Sequence, residues 1–146
     1  GGAAKAAALA LAQAGCRVTV CARTPEKAAA LAARCGGVTV SWEDLPRAAA
    51  EHGLLLNATP LGMEGSPEFE SLDFVQALPA KAVVYDLVYH PTDTALMRAA
   101  EYRGLTAVGG LALLVQQAAL SFAHFTGIVP DAALCRDILQ ELEAAQ

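Results

Sequence analysis

In the short stretch CARTPEK, Arg23, Thr24 and Lys27 bring a guanidinium, a hydroxyl and an ammonium close together along the chain. A guanidinium can bind a phosphate bidentately, an ammonium adds a point charge, and a hydroxyl adds a further donor. The chemistry this set can do is to hold an anion, and Ala22 stands directly before it where a carboxylate would repel one. Upstream, Gly1 and Gly2 precede Ala3 and an alanine-rich run. Glycines at a helix start let the backbone approach a phosphate, which then lies on the free N–H groups of the first turn.

The elements that must position these groups follow from two alternating periods. Residues 2–14 are Ala/Leu-rich and close at Gly15, a helix with a glycine stop. RVTVC is a β-branched strand, and Thr24-Pro25-Glu26 opens a helix that runs to about Cys35 with Thr24 as its N-cap hydroxyl. VTVS is strand-like, WEDLPRAAAEH a broken helix, and LLLNAT a buried strand entering a loop. A second round brings DFVQAL, AVVYDLVY, TALMRAAEYRG, LTAVGG and LALLVQQAALSFAHFTG as helix, strand, helix, strand and helix, with a last helix over residues 131–145. This alternation predicts an α/β fold, a Rossmann-type doubly wound parallel sheet with helices on both faces.

A helix that opens the chain with no strand before it predicts that the first strand of that sheet is missing, with the order 3-2-1-4-5-6 expected about it. In such folds an Asp or Glu about 20 residues past the glycine turn accepts from the ribose 2′-hydroxyl of NAD. Here Ala22 and Arg23 hold that place. The expected cofactor is therefore NADP, its 2′-phosphate held by Arg23, Thr24 and Lys27.

Composition sets the bounds. With 146 residues, 55% hydrophobic and 17% charged, the chain is expected to be one domain over 1–146 with a sizeable core. The net charge of -5 and the scattered Lys and Arg give no basic face for nucleic acid. No apolar run approaches the roughly 20 residues of a membrane span, so the expectation is a cytoplasmic protein. Cys16, Cys21, Cys35 and Cys135 form no C-x-x-C pair and lie in apolar segments, predicting buried free thiols. His52, His90 and His124 share no metal-ligand spacing.

Five motifs in order resemble the cofactor-binding domain of shikimate dehydrogenases. GGAAKA is similar to the end of that family's glycine loop, ARTPEK to its N-R-T segment, NATPLGM to N-A-T-P-x-G-M, YDLVYHP to Y-D-x-x-Y-x-P, and GGLALLVQQAA to D-G-L-G-M-L-V-x-Q-A-A. The resemblance implies NADP-linked reduction of 3-dehydroshikimate to shikimate in chorismate and aromatic amino-acid biosynthesis. It places Gly1, Gly2, Ala3, Ala22, Arg23, Thr24, Lys27, Ala58, Thr59, Leu87, Gly110 and Leu113 against the cofactor, and Tyr89 and Gln117 against the small-molecule substrate. It also implies a monomer or homodimer. Ala22, Gly109, Ala112 and Leu113 depart from the family's Asn, Asp, Gly and Met.

Read without the resemblance, Asn57 could bond its own backbone, Tyr89 could be boundary packing, and Gln117 could cap a buried carbonyl. Ketone reduction also needs a proton donor beside the carbonyl oxygen. Lys5, Lys27 and Lys81 are the lysines present, and each sits where it cannot serve. The family's lysine–aspartate pair belongs to an N-terminal substrate domain that nothing here matches, so this chain alone is expected to be inactive. Alternatives are a quinate/shikimate dehydrogenase using NAD and a non-catalytic nucleotide-binding module.

Overall fold

The structure, a computed structural model, describes residues 1–145. Its elements are α1 (Gly2–Gln13), β1 (Thr19–Cys21), α2 (Pro25–Cys35), β2 (Val38–Val40), α3 (Leu45–Ala49) and β3 (Leu54–Asn57). These are followed by α4 (Asp73–Ala77), β4 (Val83–Asp86), α5 (Ala95–Tyr102), β5 (Thr106–Val108), α6 (Gly110–Thr126) and α7 (Ala132–Ala144). The chain divides into two compact units, Gly1–Gly53 with Ser71–Ala82, and Leu54–Glu70 with the residues from Val83 onward.

In the first unit, α1 ends as its glycine predicts. Gly15 adopts φ of 82°, its N–H donates to the Ala12 carbonyl at 3.0 Å, and the Cys16 N–H donates to Leu11 at 2.9 Å. β1 and β2 pair in parallel from Thr19↔Val38 to Cys21↔Val40. The amphipathic α2 lies on both strands, α1 packs on α2, and α3 packs on α4. Ala28, Ala32, Ala49, Phe74 and Val75 are buried there. Pro25 starts α2 as expected, yet Thr24 makes no side-chain cap. The Lys27 N–H, the donor such a cap would use, bonds instead to the Thr24 carbonyl oxygen at 3.1 Å. His52 is a fastener: its Nδ1 donates to the Ala48 carbonyl at 2.8 Å and its Nε2 meets Thr19 Oγ1 at 3.0 Å.

In the second unit, β3, β4 and β5 form a parallel sheet in that order, with α5 on β4 and β5 and with α6 against α7. Its core holds Val84, Leu96, Ala100, Leu111 and Val115. Each of the two sheets contains the neighbours that the expected order requires. Among the described residues β1 pairs only with β2, and β3 only with β4.

All four cysteines are free, but the expectation that they are buried holds only for Cys135. Cys16 is exposed because it sits in the turn that closes α1, ahead of the strand. Among the described residues, no helix is long and apolar enough to cross a membrane, and no cluster of His, Cys, Asp and Glu could hold a metal ion.

Candidate functional site

The expected site residues fall into two groups, one in each unit. In the first unit α1 and α2 each lead into a strand of a parallel pair, so both helices open toward the carboxyl ends of β1 and β2. Gly1 caps α1 without a side-chain bond, and the first turn carries no acidic residue. A Cβ added at Gly1 or Gly2 would meet nothing within 4 Å, and the first-turn N–H groups of the helix have no intrahelical acceptor. Ala3 is exposed on that turn.

At the end of β1, Ala22 is half-buried, Arg23 and Lys27 are exposed, and Thr24 is half-buried with its hydroxyl outside the cap. Neither Arg23 nor Lys27 forms a side-chain ion pair among the described residues. Two exposed cations beside a helix N-terminus, with no ion-pair partner among the described residues, are fitted to bind an outside anion. Burial pushes the pKa of the neighbouring Cys21 thiol up, which keeps it protonated and unreactive.

The second group stands at the carboxyl ends of β3, β4 and β5, and a buried polar knot holds it. Asn57 donates from Nδ2 to Asp86 Oδ1 at 2.9 Å and to the Leu61 carbonyl at 3.2 Å. Its Oδ1 accepts from the Thr59 N–H at 3.0 Å and from the Thr59 hydroxyl at 2.7 Å. The Leu61 N–H closes the turn on Thr59 Oγ1 at 3.2 Å. Asp86, fully buried, also accepts from the Val88 N–H at 3.0 Å and from the Thr94 hydroxyl at 2.7 Å. Thr94 Oγ1 in turn accepts from the Met97 N–H at 3.2 Å and so caps α5.

Asn57 therefore does bond its own backbone as an Asx turn would, but it also ties two strand ends together. Ala58 and Thr59 are half-buried, and the Thr59 hydroxyl is committed to shaping the loop.

Leu87 and Tyr89 lie just beyond β4. The Leu87 N–H donates to the Asn57 carbonyl at 3.0 Å, and the Val88 carbonyl accepts from the Gly110 N–H at 3.1 Å. At Gly110, the first residue of α6, a Cβ would lie 2.4 Å from the Leu87 carbonyl oxygen and 2.7 Å from that of Val88. Its glycine is thus required by the protein's own backbone. Tyr89 is 48% exposed. Leu113 and Gln117 are both exposed, one turn apart on α6. An exposed Gln117 cannot be the cap of a buried carbonyl.

Sequence reasoning assigns no role to Asp86 or Thr94, nor to Glu64, whose carboxylate oxygen lies 2.6 Å from His90 Nε2. An acid inside the apolar run AVVYDLVY is the one available signal, since an unpaired carboxylate is seldom buried.

A family model described as the shikimate 5'-dehydrogenase C-terminal domain matches residues 110–140. The chain is 47% identical over 144 residues to a shikimate dehydrogenase (NADP(+)) of Acidiphilium cryptum, covering 97% of this chain and 51% of that protein. It is 46% identical over 132 residues to the enzyme of the same name from Methylocella silvestris, covering 89% and 46%.

Among solved structures, it is similar to the shikimate 5-dehydrogenase of Thermus thermophilus in complex with NADP(H) and shikimate. There the TM-score is 0.80 and the identity 37%, over 97% of this chain and 52% of that one. It is also similar to a quinate dehydrogenase from Corynebacterium glutamicum in complex with NAD, with a TM-score of 0.83 and 30% identity over 97% and 52%. The chain spans about half the length of the curated relatives it matches. In sequence and in fold, the chain belongs to the shikimate dehydrogenase family and carries its C-terminal part.

Proposed function

We propose that the chain is the cofactor-binding part of an NADP-dependent shikimate dehydrogenase, which reduces 3-dehydroshikimate to shikimate in chorismate and aromatic amino-acid biosynthesis. The observation that carries this reading is the pair of cations, Arg23 and Lys27, without ion-pair partners among the described residues at the start of α2, with Ala22 where an NAD enzyme places an acid. The backbone N–H groups of the first turn of α1, at Gly1, Gly2 and Ala3, would take the pyrophosphate, with no acidic side chain on that turn to repel it. Arg23, Thr24 and Lys27 fit the 2′-phosphate, the free Thr24 hydroxyl adding a donor.

Ala58, Thr59, Leu87, Gly110 and Leu113 would border the nicotinamide, and Tyr89 and Gln117 would meet substrate hydroxyls. NADPH, when bound, supplies the hydride. The residues of this chain bind and orient: the knot at Asn57 and Asp86 sets the two loops, and Leu113 offers an apolar surface. Because the Thr59 hydroxyl is committed to the loop, its part is to shape the backbone.

The carbonyl oxygen must also gain a proton. Lys5 lies on α1, Lys27 at the anion corner, and Lys81 ahead of β4, at the strand's amino end and away from Leu87 and Tyr89. The proton donor is therefore assigned to residues outside these 146, and this chain alone is inactive on this reading. The parent is assigned to the cytoplasm as a monomer or homodimer acting on small molecules.

Similarity to a quinate dehydrogenase in complex with NAD gives the second reading, an NAD-using quinate/shikimate dehydrogenase, which Arg23 and Lys27 disfavour. Calorimetric titration of the full-length parent with NADP and with NAD decides between them. NADP should bind at least roughly tenfold tighter, one charge-assisted contact's worth. Equal affinities would refute the assignment.

A further inference from the structure

We infer that Glu64 and His90 are positioning residues for Tyr89, a role that rests on the reading of Tyr89 as a substrate contact. The loop after β3 closes on itself through Met63 N–H to the Pro60 carbonyl at 3.1 Å, Gly62 N–H to Pro67 at 3.0 Å and Ser66 N–H to Met63 at 2.9 Å. Glu64 stands at its tip and reaches the loop after β4 twice. Its backbone N–H donates to the His90 carbonyl at 3.1 Å, and its carboxylate meets His90 Nε2 at 2.6 Å.

Tyr89 lies between two anchors. On one side Val88 is held by the Asp86 carboxylate and by the Gly110 N–H. On the other side His90 is held by Glu64. Tyr89 is 48% exposed, so side-chain packing constrains it little, and the two anchors fix its Cα position and the line along which its Cα–Cβ bond leaves the backbone. Packing does not replace the outer anchor. Met63, Ser66, Glu68 and Pro91, with Glu64 and His90, line an open cleft of about 330 Å³ between the two loops.

The Glu64 and His90 side chains are 73% and 55% exposed, so their contact adds little to global stability and its effect is local. That makes the pair separable from folding. In the full-length parent, Glu64→Ala should raise the KM for shikimate roughly two- to fivefold, the range of an exposed ion pair, and leave the KM for NADP unchanged. Glu64→Gln, which keeps an acceptor for His90, should recover most of the loss.

The decisive measurement is the double variant with Tyr89→Phe. If the pair acts through the tyrosine hydroxyl, Glu64→Ala adds nothing once that hydroxyl is gone. An equal Glu64→Ala effect in both backgrounds, or no effect while Tyr89→Phe weakens shikimate, overturns the positioning role. No effect of Tyr89→Phe on shikimate overturns the underlying assignment of Tyr89, and the inference with it.

Discussion

Asn57 and Asp86 are register partners on neighbouring parallel strands, and Asn57 Nδ2 donates to Asp86 Oδ1 at 2.9 Å, where both strands end. Each side chain then turns to its own loop, Asn57 to Thr59 and Asp86 to Val88. The ends of two strands and the start of α5 are thus fixed by one buried carboxylate.

Removing that carboxylate leaves the Asn57 amide, the Val88 N–H and the Thr94 hydroxyl without their acceptor. Asp86→Ala should cost about 3–5 kcal/mol by urea unfolding, and Asp86→Asn, which keeps one acceptor oxygen, about 1–3 kcal/mol. Thr94→Ser should stay near wild type, while Thr94→Val loses both the cap and the donor to Asp86. A wild-type unfolding midpoint for Asp86→Ala would show that the knot holds nothing.

Arg23→Ala with Lys27→Ala should reduce NADP affinity in the full-length parent by roughly tenfold or more, with NAD affinity changed far less. Both side chains are exposed, so the loss should shrink as salt is raised. Steady-state kinetics with each cofactor is the check, and parallel losses would remove the 2′-phosphate from this corner.

Gln117→Ala should weaken shikimate by roughly tenfold, about one buried hydrogen bond, while NADP binding stays intact. Gln117 is exposed on α6, so the change should leave the melting temperature near wild type. Separate calorimetric titrations read the two ligands, and an unchanged shikimate affinity returns Gln117 to the solvated surface.

Thiol labelling should proceed in an order set by burial. Cys16, exposed in its turn, should be alkylated first, and buried Cys135 last. Burial raises the Cys21 pKa, so at neutral pH less of it is thiolate and it should lag behind Cys16, gaining as pH is raised. Mass spectrometry of partially labelled protein gives the order. Cys21 reacting ahead of Cys16 would contradict the burial of the β1 end.

The fold was legible where local chemistry marks an element's end. Gly15 stops α1, and Pro25 starts α2, because a left-handed residue and a missing N–H act within a single turn. β4 is shorter than the apolar run AVVYDLVY because Val88 leaves the ladder to donate to the Asp86 side chain. That exchange depends on a side chain pointing inward, which periodicity does not encode.

The two exposed cations at the start of α2, Arg23 and Lys27, could be named for the same local reason, since they lie close together in sequence. The knot could not. Asn57, Asp86 and Thr94 come from separate elements, as do Thr19 and His52, and a pairing that only the folded chain creates leaves no spacing to find.

Gly110 carries a consequence for heredity. Every glycine codon begins with the same two bases, and any single-base change that alters the residue brings in a Cβ or ends translation. At Gly110 that atom would collide with the Leu87 carbonyl, whereas at Gly109 it would meet the flexible end of Met97 at 3.4 Å. Adjacent glycines of one gene thus have different genetic fates. Saturating the pair with random codons and selecting for folded, protease-resistant protein should return several residues at the first position and glycine alone at the second.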